Sequence, residues 1–190
     1  MFEVSITNTG MLKDSVSTIA ELIDEGVFKA DKNGISFIAS DRAMVAVVDF
    51  KLNAAAFDEY KIDADTSLAV NMLNFVSILR RANASDKIIL RKEDAKNKLE
   101  IILKGASTRR FELPLLDISE SEIPPIDQLE FTCSAEVRSE ILEQGVADAE
   151  VISDLVVFDL EPDVFKMKAE GDSSVTELKL ERGESSLISL

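Results

Sequence analysis

An internal repeat constrains this chain more than any other feature: the plan of residues 2–52 returns in residues 130–182, displaced by about 129 positions. In the first copy, Phe2-Glu3-Val4-Ser5-Ile6 alternates apolar and polar residues, the period of a half-buried strand. Thr9 is then expected to cap a helix from about Gly10 to Asp24. Its apolar stripe is Leu12, Val16, Ile19 and Ile23, which leaves Lys13, Ser17 and Glu21 toward solvent. Val27–Ala30 and Ile35–Ala39 flank Asp31-Lys32-Asn33-Gly34, where Asn-Gly supplies the positive φ angles of a hairpin turn. Val45–Leu52 completes a meander. In the second copy, Leu129–Cys133 stands for the first strand and Ala135–Ala147 for the helix, with Val137 and Ile141 inward. Val151–Leu160, Val164–Ala169 and Val175–Leu180 stand for the meander. Turns at Glu161-Pro162-Asp163 and Gly171-Asp172-Ser173-Ser174 separate those three strands.

Between the copies lies a strand-like run at Ser67–Val70. A helix follows, capped by Asn71 and running to about Ala82, with Met72, Phe75, Val76 and Leu79 buried. Lys87–Arg91, Leu99–Leu103 and Thr108–Leu115 then read as strands. The order predicts an α+β fold of antiparallel sheets with helices on one face, a tandem duplicated domain whose second copy is incomplete. Asp117–Gln128 is acidic and carries Pro124-Pro125, which suits an extended connector. The expected organisation is a first domain over 1–116, a connector over 117–128, and the first half of a second domain over 129–190. The 63 positions from 53 to 115 have no second copy. Two equal domains would need about 250 residues, so a shortened or naturally truncated chain is expected.

Composition narrows the chemistry. There is no histidine, which removes the commonest general base and metal ligand. The seven glycines form neither a phosphate-binding loop nor a dinucleotide fingerprint. Neither a catalytic site, a metal site nor a cofactor is expected. Cys133 is the one cysteine, so no internal disulfide framework can form, which fits a reducing cytoplasm. No apolar run approaches the roughly 18–20 residues that span a membrane, and Met1-Phe2-Glu3-Val4 is unlike a secretion signal. The net charge of −15 argues against a nucleic-acid partner only if it is spread evenly. A protein acidic outside and basic along an inner lining escapes that argument.

Several stretches resemble the proliferating cell nuclear antigen family of DNA sliding clamps, archaeal type. They are Leu22-Ile23-Asp24-Glu25, Asn33-Gly34-Ile35-Ser36, Ala39-Ser40-Asp41-Arg42, Val70-Asn71-Met72, Ile78-Leu79-Arg80 and Ile89-Leu90-Arg91. Leu113-Pro114-Leu115-Leu116-Asp117 and Met167-Lys168-Ala169-Glu170-Gly171 extend the series in order across the chain. The resemblance implies the clamp (processivity) fold and a non-enzymatic polymerase processivity factor. Its members form a homotrimeric ring, or in some archaea a heterotrimeric one, around duplex DNA. It also implies partners that bind through a short peptide motif: DNA polymerase, flap endonuclease, ligase and a clamp loader. A cytoplasmic, nucleoid-associated location follows, with no membrane.

Carried onto this sequence, the resemblance places Lys13, Arg80, Arg81 and Arg138 against DNA without reading bases. Arg138 stands alone on its helix against Glu136, Glu140 and Glu143, fewer basic residues than the family usually places there. The partner-motif pocket would draw on Met44, Val45, Val47, Ile123, Pro124, Pro125 and Ile126. Its remaining wall comes from the family's C-terminal region, so motif binding by this chain is expected to be weak. Subunit contacts would pair Thr108–Leu113 with Val175–Leu180 of a neighbour. Phe75 and Leu79 would add apolar contact, and Arg81, Arg109 and Arg110 would face Glu140, Glu143 and Asp172. Two other readings compete. One is a truncated clamp-fold interaction protein that closes no ring on DNA. The other is a carboxylate-dependent metal nuclease using Asp41, Asp49 and Asp58.

Overall fold

The computed structural model describes residues 1–93, 96–118 and 130–183, and the backbone of 187–189. The chain divides into two compact units, Met1–Ile126 and Asp127–Leu190.

In the first unit the elements run β1 (Phe2–Ile6), α1 (Thr9–Leu22), β2 (Glu25–Asp31), β3 (Gly34–Ser40) and β4 (Val47–Asn53), then a 3-10 turn at Ala54–Ala56. They continue with β5 (Glu59–Ile62), β6 (Thr66–Asn71), α2 (Met72–Leu79), β7 (Lys87–Lys92), β8 (Lys98–Lys104) and β9 (Thr108–Pro114). Two antiparallel sheets result, ordered β5-β1-β7-β8-β9 and β4-β3-β2-β6. Each half of the unit is a strand, a helix and a three-stranded meander. The opening strand of each half crosses to the other half's meander: β1 pairs with β7, and β6 pairs with β2. One core lies beneath both sheets and both helices. The stripe Leu12, Val16, Ile19 and Ile23 is buried as the helical spacing predicts, and so are Met72, Phe75, Val76 and Leu79.

Local details depart from the sequence reading. Asn8, one residue earlier than expected, caps α1 by accepting from the Met11 amide at 3.2 Å. Thr9 is instead buried, and its hydroxyl donates to the Asn83 carbonyl. The helix ends at Leu22, because Ile23 is already extended and leads into β2. At the β2–β3 turn only Gly34 has positive φ. The Asp31 carboxylate makes this turn by accepting from the Asn33 and Gly34 amides at 2.7 and 3.1 Å. The strand β5 has no strong sequence signal. It is held by pairing with β1 and by Tyr60, whose hydroxyl shares its proton between the Asp31 and Gly34 carbonyls at 2.8 and 2.7 Å.

The second unit contains β10 (Glu136–Val137), α3 (Ser139–Glu150), β11 (Val157–Glu161), β12 (Val164–Glu170), β13 (Val175–Glu181) and β14 (Leu187–Ser189). Its sheet order β11-β12-β13 repeats β2-β3-β4 of the first unit. The pair β10–β14 repeats β1–β5, so the copy runs a few residues further than the sequence shows. Residues 130–133 form no strand, and Phe131 is 82% exposed. The strand lies later, at Glu136–Val137, which is where β14 supplies a partner, and this delays the helix to Ser139. Residues 151–156 likewise precede β11 rather than belong to it. The core here is small: Phe165, Met167 and Leu180, with Val137, Ile141 and Leu178 packed against them.

Candidate nucleic-acid interface

Two sets of cations in the first unit differ in how they are paired. On the outer face of the five-stranded sheet, strand alternation turns Glu3, Arg91, Glu100 and Arg110 away from the core. They form a cross-strand ladder, with Arg91 at 2.6 Å from Glu3 and 3.4 Å from Glu100, and Arg110 at 3.7 Å from Glu100. Lys98 pairs with Glu112 at 2.7 Å on the same face. Glu3, then the charges of Glu100 and Glu93, hold the Arg91 guanidinium above its usual pKa. These cations are already neutralised.

The end of α2 is different. Asn71 caps the helix, accepting from the Asn74 amide at 3.0 Å, and the buried face turns inward. Arg80 and Arg81 emerge exposed just beyond its last turn. Neither side chain meets an acidic group within ion-pair distance among the described residues. Lys13 of α1 lies beside them, half-buried, and its ammonium donates to the Ala82 carbonyl at 3.0 Å. Arg138 is exposed where α3 begins, beside exposed Glu136 and Glu140, with Glu143 one turn on.

Several expected subunit contacts do not fit their positions. Phe75 and Leu79 are 3% and 1% exposed and belong to the core, so they present no surface to a neighbour. The spacing that marks a helix's buried face is the same whichever body it packs against. Arg109 is engaged inside its own unit, with one nitrogen 2.5 Å from the buried Asp86 carboxylate and another 2.9 Å from the Arg81 carbonyl. Arg110 is partly committed to Glu100. Glu140, Glu143 and Asp172 are exposed. The strands β9 and β13 both lie at sheet edges.

Of the expected partner pocket, Met44 is exposed and Val45 is 84% exposed, whereas Val47 is half-buried in β4. Ile123, Pro124, Pro125 and Ile126 lie outside the described residues. A cleft of about 310 Å³ does occur here, lined by Leu22, Ile23, Asp24, Arg42 and Met44 among others. Arg42 closes on Asp24 across it at 2.8 Å. Sequence reasoning missed the α1 end of this cleft, because only the tertiary fold brings Leu22–Glu25 beside residues 40–44. Its rim is wound around Asp41, whose carboxylate accepts from the Ala43, Val45 and Ala46 amides at 3.1, 2.8 and 2.9 Å. The Ala46 amide, followed by those of Val45 and Ala43, holds the Asp41 pKa below the ordinary value. Met44 takes a left-handed φ of 55° at the crest, uncommon for a residue with a side chain. Asp41 is thus used by the loop, Asp49 pairs with Lys51, and Asp58 accepts from Thr7. Among the described residues no three acidic, cysteine or histidine side chains gather where they would hold a metal.

Comparison with known proteins agrees with this architecture. The N-terminal-domain profile of proliferating cell nuclear antigen matches residues 1–122. The DNA polymerase sliding clamp 1 of Thermococcus kodakarensis is 36% identical over 189 residues, covering all of this chain and 75% of that protein. The DNA polymerase sliding clamp of Pyrococcus horikoshii is 35% identical with the same coverage. The crystal structure of the T. kodakaraensis clamp antigen superposes with a TM-score of 0.88 at 28% identity, covering all of this chain and 76% of that one.

Proposed function

Since the chain belongs to the proliferating cell nuclear antigen family, whose members are non-catalytic sliding clamps of DNA replication, we propose that it encircles duplex DNA as a ring of three chains and tethers replication proteins there. The observation that carries this reading is the distribution of charge. On the outer face of the five-stranded sheet Arg91, Lys98 and Arg110 are spent on acidic partners, while Arg80 and Arg81 stand exposed at the end of α2. A net charge of −15 is then compatible with a DNA-facing side, because phosphate contacts depend on local cations and carry no sequence information. The edge strands β9 and β13 suit pairing between neighbouring chains, since an edge exposes unpaired backbone groups. Polymerase, flap endonuclease, ligase and a clamp loader are the partners this reading brings, with the cleft beside Met44 as their docking place. A chain held on DNA in this way belongs with the nucleoid.

A second reading has its own support. In the second unit β11 lies at a sheet edge, and Leu155, Val157 and Phe158 are 76%, 59% and 49% exposed. A chain that leaves this face bare would act as a clamp-fold interaction protein closing no ring. Sedimentation together with retention on nicked circular DNA in the presence of a loader separates the two. The ring reading expects about three chains per particle, held on circular DNA and released when that DNA is linearised. A single chain at every concentration, with no difference between circular and linear DNA, would leave only the second reading.

A further inference from the structure

Three consecutive carbonyls follow α2, and each is held by a side chain, one from β9 and two from α1. Arg109 of β9 donates to the Arg81 carbonyl at 2.9 Å, Lys13 of α1 to Ala82 at 3.0 Å, and Thr9 to Asn83 at 3.3 Å. A helix leaves its last carbonyls without internal partners. Local amides close the end of α2 itself, with Arg80 donating to Val76 at 2.8 Å, Arg81 to Ile78 at 3.0 Å and Ala82 to Leu79 at 2.9 Å, whereas the carbonyls of the turn beyond it take side-chain donors. At eight residues, α2 is also too short to hold its own end firmly.

Arg109 is itself fixed. Asp86, only 2% exposed, lies 2.5 Å from one guanidinium nitrogen and also accepts from the Asn83 amide at 2.9 Å. Gly105 makes room for this carboxylate, since a Cβ there would fall 1.9 Å from an Asp86 oxygen. The buried pair therefore ties the peptide of Arg81 to the β8–β9 hairpin. The two arginines proposed to meet DNA sit on that peptide and the one before it.

We infer that Arg109 is a positioning residue for DNA contact: anchored by Asp86, it sets the peptide from which Arg80 and Arg81 reach the phosphates. This rests on the clamp reading of those two arginines. Arg109 touches no phosphate in this role, and Lys13 spends its ammonium on the same turn.

The decisive variant is Asp86→Asn, because charge and positioning predict opposite signs. Removing a carboxylate makes the chain less acidic, which by charge alone tightens DNA binding. Losing the anchor of Arg109 loosens it. Binding of the full chain to a short fluorescein-labelled duplex is followed by anisotropy across a series of salt concentrations. Each phosphate contact contributes about 0.9 to the slope of log affinity against log salt. The reference variant Arg80→Gln/Arg81→Gln is expected to lower the slope by about 1.8 per chain. Asp86→Asn is expected to lower it by most of that amount, with Tyr60 fluorescence still reporting a folded first unit. If Asp86→Asn unfolds the unit, Asp86→Asn/Arg109→Gln replaces the ion pair by two amides and is expected to lose the same slope. A folded variant with an unchanged or steeper slope overturns the inference while the reference variant responds. If the reference variant also keeps its full slope, the DNA role of these arginines fails, and the inference fails with it.

Discussion

Replacing Phe75 by alanine tests where the body of α2 belongs. Phe75 is 3% exposed, meets the Phe28 ring edge-on at 5.9 Å, and borders a void of about 20 Å³ shared with Leu12, Val16 and Leu90. Deleting its ring removes a fully buried aromatic and enlarges that void, which costs about 3–5 kcal/mol. Loss of the edge-to-face pair, about 0.5–1.5 kcal/mol, is contained in that figure. Set against a usual domain stability of about 5–15 kcal/mol, this is a large fraction. With a urea dependence near 2 kcal/mol/M, the unfolding midpoint should fall by about 2 M. Tyr60 is the chain's one tyrosine, no tryptophan competes with it, and it lies in the first unit. Its fluorescence therefore follows the unfolding of that unit alone. Leu73, on the same helix but 58% exposed, supplies the contrast: Leu73→Ala should change the stability by no more than about 0.5 kcal/mol, about 0.25 M in the midpoint. If Phe75→Ala left the Tyr60 midpoint in place while lowering the mass of the assembly, the core placement would be wrong, and the side chain would belong to a subunit boundary.

Three further outcomes follow from the geometry. Gly105→Ala should destabilise the first unit by about 1–3 kcal/mol in the same urea assay, because a methyl group there collides with a locked Asp86; a neutral result would show that Asp86 can move. Tyr60 should ionise at about 12, raised chiefly by burial and then by the Asp31 charge, as read by ultraviolet absorbance. A raised pKa for an acid means its contribution is complete below the unfolded value near 10 and is lost as pH rises toward 12, so alkaline unfolding should accompany the titration. Asp41 should titrate below the ordinary value of 3.8 by carbon-detected NMR, so its contribution to the loop is present above that pH and is lost as pH falls through the folded value. An ordinary Asp41 titration would mean the three amides do not hold it in solution.

Periodicity alone located most elements, since apolar spacing reports which face of a segment is buried. That is why the stripe Leu12–Ile23 and the face Met72–Leu79 were legible, and why the meander could be matched between the two copies. What periodicity omits is the identity of the body on the other side. Phe75 and Leu79 looked as suited to a neighbour as to a core, and only packing decided for the core. Arg109 read as a free boundary charge until the fold brought buried Asp86 beside it, across 23 residues of sequence. The strand β5 and the cleft wall at Leu22–Glu25 were missed for the same reason, because both depend on partners remote in sequence. From local order the chain determined a repeated strand, helix and meander. The tertiary structure decided that each opening strand crosses to the other half's sheet, because backbone pairing at a sheet edge depends on which strand arrives in space and leaves no mark in the spacing of side chains.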